Sequence, residues 1–193
     1  MKSNTLEIWK HRSRLKAAIR GFFSARSYFE IDTPVLVQTP GTEVYLDYFA
    51  TTWKDFRNED HSLWLRSSPE LHMKQALAEG AERIYQMGPC FRNHGESGEW
   101  HSPEFTMLEW YEIGISYEDY IQQTFDLLKY TYETLKEFAD IKLKLPEKPQ
   151  VFTVKEAFRN FLDIDFFDMD LDLSKKLIEK GVLSVNIEDD FET

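Results

Sequence analysis

The chain of 193 residues has a single cysteine, Cys90, so no internal disulfide can brace it, and a lone thiol fits a reducing cytosol. It has no apolar run near the roughly 20 residues that a membrane-spanning helix needs. Its first residues, MKSNTLEIWKHRSR, turn charged before a signal-peptide core could form. It has no Walker A sequence, no GxGxxG and no GxSxG, which sets aside the P-loop, the dinucleotide fingerprint and the hydrolase nucleophile elbow. His94, His101 and Cys90 stand at no standard zinc spacing, so no metal ligands are expected among them. Positive charge is also short: 23 Lys+Arg face 34 Asp+Glu, a net charge of −11. A protein that coats nucleic acid through phosphate contacts would be basic.

What is present suits a globular chain with a core: 42% hydrophobic and 30% charged residues. The length suffices for one domain or a portion of a larger one. Charge is unevenly spread. Residues 1–40 carry seven basic side chains, among them Arg12, Arg14 and Arg20, and only Glu7, Glu30 and Asp32 against them. Residues 163–193 carry ten acidic and three basic ones, so the acid excess sits mainly in the tail.

Helical spacing of Ile8, Leu15, Ile19 and Phe22 or Phe23 predicts a first helix over about 5–27. YFEIDTPVLV reads as a strand interrupted at Pro34, and Leu63–Arg66 as a short strand. SSPELHMKQALAEG is punctuated as a helix, with Ser68 as cap, Pro69 in the first position and Gly80 past the end. Residues 83–92 and 104–112 read as strands on either side of a long hairpin loop, NHGESGEWHSP. Ser116 and Asp119 suggest a capped helix over roughly 117–139, with Ile121, Phe125, Leu128 and Leu135 on one side. LKLPEKPQ is a linker, which divides the chain into 1–145 and a helical segment 146–193. Strands and helices mixed with hairpin neighbours favour an α+β fold built on an antiparallel sheet.

The chemistry concentrates in residues 66–111. Along the strand EFTMLEWYE, alternation places Phe105, Met107, Glu109 and Tyr111 on one face and Thr106, Leu108 and Trp110 on the other. An ionisable Glu109 between aromatic neighbours suits a pocket for a cation. Taken singly, these residues have plainer readings too: Arg92 as a surface ion pair, Phe105, Met107 and Tyr111 as core, Glu70 as compensation of a helix dipole.

Taken together, the segments resemble a known family. CFRNHGESGEWHSPEFTMLEWYE resembles motif 2 of the class II aminoacyl-tRNA synthetases, and RGFFSARSYFEIDTPVLV resembles motif 1. RSSPELHMK and HSPEFTMLEWYE resemble the lysyl-tRNA synthetase versions. With motif 1 starting near residue 12 and no anticodon-binding barrel ahead of it, the chain is most similar to the paralogues that ligate β-lysine onto a lysine of elongation factor P.

That resemblance implies an aminoacyl-adenylate-forming ligase using ATP and Mg2+. It implies Arg92 on the α-phosphate and substrate carboxylate, Phe105 under adenine, and His101 near the phosphates. It implies Glu70, with Ser68 beside it, at the backbone amine of lysine or β-lysine, and Glu109 with Tyr111 at the side-chain ammonium. Where the family carries a glutamate for the adenine edge this chain has His94, and the loop is one residue longer, so Glu96 is the substitute to consider. Motif 3, with its arginine and the nearby magnesium carboxylates, is expected beyond residue 193. Two other readings follow from the same likeness: a tRNA-Lys-charging catalytic domain, and a truncated, non-catalytic interaction module. Motif 1 implies a homodimer, for which Phe22, Phe23 and Val35–Val37 are the expected apolar contacts and Arg20 a charged one. A cytoplasmic protein without membrane association is expected.

Overall fold

A computed structural model describes residues 5–94, 101–138, 142–165 and 173–182. Two compact units form, Met1–Leu145 and Pro146–Thr193. The first runs α1 (Thr5–Ser24), β1 (Phe29–Glu30), β2 (Leu36–Val37), β3 (Ala50–Lys54), β4 (Asp60–Leu65), α2 (Glu70–Ala78), β5 (Arg83–Phe91), β6 (Glu104–Glu112) and α3 (Tyr117–Leu135). The second carries α4 (Val154–Leu162) and α5 (Leu173–Glu179).

The architecture is α+β, with two three-stranded sheets in place of one antiparallel sheet. The first has the order β1-β5-β6 and is mixed: β1 runs parallel to β5, pairing Phe29 with Ile84, while β5 and β6 form a nine-residue antiparallel hairpin from Arg83↔Glu112 to Phe91↔Glu104. The second, β2-β4-β3, is antiparallel throughout. The segment YFEIDTPVLV supplies one strand to each sheet. Pro34, which has no N–H to give a ladder, lies in the break between them.

The hairpin β3–β4 is absent from the sequence reading, which placed only Leu63–Arg66 as a strand. Its tip is built by polar chemistry: Asp55 Oδ1 accepts from the N–H groups of Arg57 and Glu59, both at 2.9 Å, and Asn58 adopts φ +66°. Asn tolerates that left-handed conformation. Since β3 is exposed at every residue, it has no buried stripe for a pattern to reveal.

The core lies between β5–β6 and the helices α1 and α3. Phe22 and Phe23 are fully buried, and Phe23 stacks on Tyr85 with ring centroids 4.5 Å apart and packs edge-on against Tyr28. Leu108 and Trp110 close on this cluster from β6. Phe22 and Phe23 therefore cannot be dimer contacts, and of 35–37 only Leu36 is exposed while Val37 is buried. Arg20 is engaged within the chain, donating to both carboxylate oxygens of Glu30 at 3.0 Å.

Two helix faces differ from the spacing prediction. In α1 only Ala18, Phe22 and Phe23 are buried, whereas Ile8 and Leu15 are exposed, because the core contacts begin with the helix's C-terminal half. In α3, Leu127 is buried and Leu128 exposed. The stripe is rotated because polar groups anchor it. Gln123 Oε1 accepts from Tyr28 and from Trp110 Nε1, Gln123 Nε2 donates to Glu112, and Tyr120 stacks on Trp110 at 5.7 Å. Satisfied in this way, a glutamine can take a place on the packed face. Ser116 caps α3, accepting from Asp119 N–H at 3.1 Å.

In the second unit, Thr153 and Glu156 form a reciprocal capping box at the start of α4. Arg159 pairs with Asp165 at 2.9 Å beyond its end.

Burial pushes the Tyr85 hydroxyl from the usual 10 up to about 12, with the Glu30 carboxylate adding to the shift. The folded state thus keeps the proton longer than the unfolded chain does, so this contribution to stability is complete below pH 10 and lost as pH rises through about 12. Urea denaturation between pH 9 and 12 should show stability falling with pH, and Tyr85→Phe should flatten the fall. Phe23→Ala should cost about 3–5 kcal/mol in the same assay at pH 7, the usual price of an emptied aromatic site.

Candidate active site

The hairpin β5–β6 has two faces with different work. Its even-numbered β6 residues face the helices: Leu108 and Trp110 enter the core, and Thr106 accepts from Arg12 of α1 at 2.5 Å. Phe105, Met107, Glu109 and Tyr111 share the other face, opposite Cys90, Gly88, Gln86 and Ile84 of β5.

On that face Glu109 meets the turn before α2. Ser68 Oγ donates to Glu109 Oε1 at 2.6 Å and accepts from Glu70 N–H at 3.0 Å. The turn differs slightly from the sequence expectation. Pro69 itself is the N-cap, with φ −80° and ψ −2°, and gives no side-chain cap. Ser68 covers the free amide of Glu70 from one residue earlier. Gly80 ends α2 as expected, at φ +103°.

Glu109 Oε2 is buried with no hydrogen-bond partner. A carboxylate oxygen removed from water and left without a donor is costly unless a donor or cation arrives. Tyr111 belongs to the same environment: burial first, then the charge of Glu109 and that of Glu70, pushes its hydroxyl well above the ordinary range, so it stays protonated.

Beside Ser68 lies a cavity of about 150 Å³ lined by Gly41, Glu43, Ser67, Glu70, Leu71 and Lys74 among others. Glu70 accepts from Lys74 at 2.5 Å. Glu43, which the sequence reading did not single out, accepts from Tyr48 Oη at 2.8 Å. That hydrogen bond, with backbone N–H groups and Arg92 assisting, holds its carboxyl below the usual range. The sequence signal for Glu43 was Gly41: a Cβ there would stand 2.4 Å from Glu43 Oε2 and 2.7 Å from Tyr48 Oη. A wider hollow of about 490 Å³, lined by Arg83, Glu112 and Asp119 among others, includes none of the expected site residues.

Arg92 closes the hairpin, donating its N–H to Pro103 O at 3.0 Å. Its side chain is exposed and its guanidinium lies 5.3 Å from the centre of the Phe105 ring. A cation and a ring so placed can receive a phosphate and a flat base side by side. His94 is otherwise engaged. It sits at φ +47°, is 78% exposed, and pairs through Nδ1 with Asp47 at 2.8 Å, which ties the hairpin to the loop before β3. His101 is exposed, and Glu96 lies outside the described residues. Cys90 is buried, and burial raises its thiol.

Arg66, placed by the sequence only at the end of a strand, has a larger part in the structure. It is 1% exposed and has no carboxylate among its hydrogen-bond partners in the described residues. Its guanidinium donates to Thr33 O at 2.8 Å, Thr33 Oγ1 at 2.7 Å, Pro34 O at 3.3 Å and Pro89 O at 3.1 Å. With its amide oxygen turned to these donors, Gln86 accepts from Nη1 at 3.0 Å and Nη2 at 3.2 Å. Gly88 makes the room, since a Cβ there would stand 2.8 Å from Nη2. Nothing in the spacing of RSSPE separates this arginine from a surface one.

Three carboxylates near the cavity thus answer to organic donors: Glu43 to Tyr48, Glu70 to Lys74, Glu109 to Ser68. They suit ammonium groups better than the octahedral oxygen set of magnesium. Asp55, Glu59 and His61 each offer a ligand atom within 4.8 Å of one another, but on the β3–β4 turn, where Asp55 already organises the backbone.

The profile of the tRNA synthetases class II (D, K and N) matches residues 1–186, and the chain belongs to that family. It is similar to proteins named elongation factor P–(R)-β-lysine ligase. The one from Buchnera aphidicola subsp. Schizaphis graminum is 37% identical over 156 residues, 80% of this chain and 44% of that protein. The one from Histophilus somni strain 2336 is 43% identical over 123 residues, 63% of this chain and 38% of that one. The one from Photorhabdus laumondii is 35% identical over 185 residues, 94% of this chain and 53% of that one. The chain spans about half the length of such relatives or less. Among the described residues no helix is long and apolar enough to cross a membrane.

Ser68→Ala removes the donor to Glu109 and the acceptor for Glu70 N–H together. It should cost about 1.5–3 kcal/mol in urea denaturation, the range for a hydrogen bond to a charged group. Arg66→Met should cost about 2–3 kcal/mol by leaving buried acceptors without donors.

Proposed function

We propose that this chain supplies the amino-acid-binding and half of the nucleotide-binding surface of a cytoplasmic ligase that activates lysine or β-lysine with ATP and transfers it to a lysine of elongation factor P. The observation that carries the reading is Glu109: a carboxylate oriented by Ser68, one oxygen buried and unpartnered, beside a protonated Tyr111. Such a group asks for an ammonium. A second carboxylate, Glu70, stands across Ser68 on the cavity wall and suits a second amine. A ligand with two amino groups and one carboxylate matches that pair.

In the proposed reaction Glu109 and Tyr111 hold the side-chain ammonium and Glu70 the backbone-end amine. The ligand's carboxylate is thereby turned toward Arg92. There an oxygen of that carboxylate attacks the α-phosphorus of ATP, the bond to the bridging oxygen breaks, and pyrophosphate leaves with the electron pair. Arg92 neutralises charge on the α-phosphate and carboxylate, while Phe105 carries the adenine. Positioning and charge neutralisation make up this chain's contribution. In the second step the acceptor lysine's neutral amine attacks the acyl carbon, AMP departs, and the nitrogen gives up a proton. Magnesium, when bound, neutralises the polyphosphate. The carboxylates described here do not form its site, and no step is derived through it. Homodimer formation belongs to the same reading, through surfaces other than the buried Phe22 and Phe23.

Elongation factor P is preferred over tRNA-Lys as acceptor because the relatives named above are elongation factor P ligases and because the chain is acidic, with a net charge of −11. The test is ATP–pyrophosphate exchange by the full-length protein with lysine and (R)-β-lysine, followed by labelled transfer to elongation factor P or to tRNA-Lys. Exchange with labelling of elongation factor P is expected. Exchange with labelling of tRNA-Lys alone favours the tRNA-charging reading, and no exchange with either amino acid favours a non-catalytic interaction module. Glu109→Gln should raise the KM for the amino acid by about 100-fold, the cost of removing a buried charge from its partner. Arg92→Lys should lower the exchange rate with a smaller effect on that KM, because the lost fork geometry bears on the reacting phosphate.

A further inference from the structure

We propose that Lys74 is a built-in competitor for the amine site: its ε-ammonium holds Glu70 until the backbone-end ammonium of the amino acid displaces it. The inference rests on the lysine-type reading above and adds a regulation of that same site.

Glu70 and Lys74 stand one turn apart on α2, with Nζ 2.5 Å from Oε1. An ion pair at this spacing is common on helix surfaces. Here, however, both members line the cavity beside Ser68. Glu70 is the first residue of α2, and its N–H is held by the same hydroxyl that orients Glu109. The backbone of Glu70 is therefore fixed at the cavity, and Lys74 is the longer and more exposed partner of the pair. The Lys74 side chain is 57% exposed and its stem is flexible, so it can leave. The attraction of Glu70, with Glu109 behind it, raises the Lys74 pKa and keeps it fully charged.

An incoming amine would place two ammonium groups against one carboxylate if Lys74 stayed. Like charges at that distance repel, so binding and departure are linked. The result is a filter. A ligand with an amine near its carboxylate can evict Lys74. A ligand with only the distal ammonium, such as 6-aminohexanoate, leaves the Glu70–Lys74 pair intact.

The test is calorimetric titration of the full-length protein and its Lys74→Met and Lys74→Gln variants with lysine, (R)-β-lysine and 6-aminohexanoate, with thermal melting to verify folding. Both variants should bind lysine or β-lysine about two- to five-fold more tightly, which is the strength of an exposed ion pair returned as affinity. Their affinity for 6-aminohexanoate should not change. In a Glu70→Gln background, Lys74→Met should bring no gain. Unchanged or weaker lysine binding in the variants overturns the inference and makes Lys74 a helix staple. An equal gain for all three ligands also overturns it, since that is a general field effect. If the unaltered protein binds neither lysine nor β-lysine, the functional reading falls first and this one with it.

Discussion

A single buried guanidinium holds the site's framework together. Arg66 follows the last residue of β4, and its side chain reaches the Thr33–Pro34 turn between β1 and β2 and the Pro89 carbonyl of β5. Its own backbone joins in, with its N–H donating to Val35 O and its carbonyl accepting from Phe91 N–H. One residue thus couples both sheets, and its carbonyl holds the last residue of β5, next to Arg92. Taking a charge from water is costly, and neutral acceptors repay it only when several converge with good geometry. That requirement explains Gly88 and the amide orientation of Gln86, and it makes the junction stiff. The residues after Arg66 are Ser67, Ser68, Pro69 and Glu70, so the rigidity is delivered where the candidate site begins.

The hairpin β5–β6 converts that rigidity into two surfaces. Period-two alternation sends Leu108 and Trp110 to the helices and Glu109 and Tyr111 to the opposite face, where Glu109 meets Ser68. The aromatic cluster around Phe23 and Tyr85 therefore clamps the same strand that presents Glu109. Loss of packing on one face would be felt as misplacement on the other. This is a physical reason for a functional carboxylate to sit on a strand rather than on a loop.

The cavity and the strand face beside it are rich in carboxylates. Glu43, Glu70 and Glu109 gather near one another, and each is met by a hydroxyl or an ammonium of the chain itself. Only Glu109 keeps an oxygen both buried and free of partners. At the open end of the hairpin, Arg92 holds its guanidinium 5.3 Å from the centre of the Phe105 ring. The chain spans about half the length of the relatives it matches or less.

Local signals carried much of this fold. Strand alternation in EFTMLEWYE placed four residues on one face, Ser116 marked the start of α3, and Gly80 marked the end of α2, because each depends on a few neighbouring atoms. The string HSPEFTMLEWYE carries the family likeness in its residues alone. Position across the fold was another matter. Whether Ile8 or Ala18 met the core, whether Leu127 or Leu128 was buried, and whether Phe22 and Phe23 lay inside or at an interface were settled by which element packed where. Arg66, Glu43 and Lys74 gained their meaning only when segments up to 33 residues apart met. Spacing along a chain reports a residue's direction from its own backbone, whereas burial and charge pairing depend on what the rest of the chain brings opposite it.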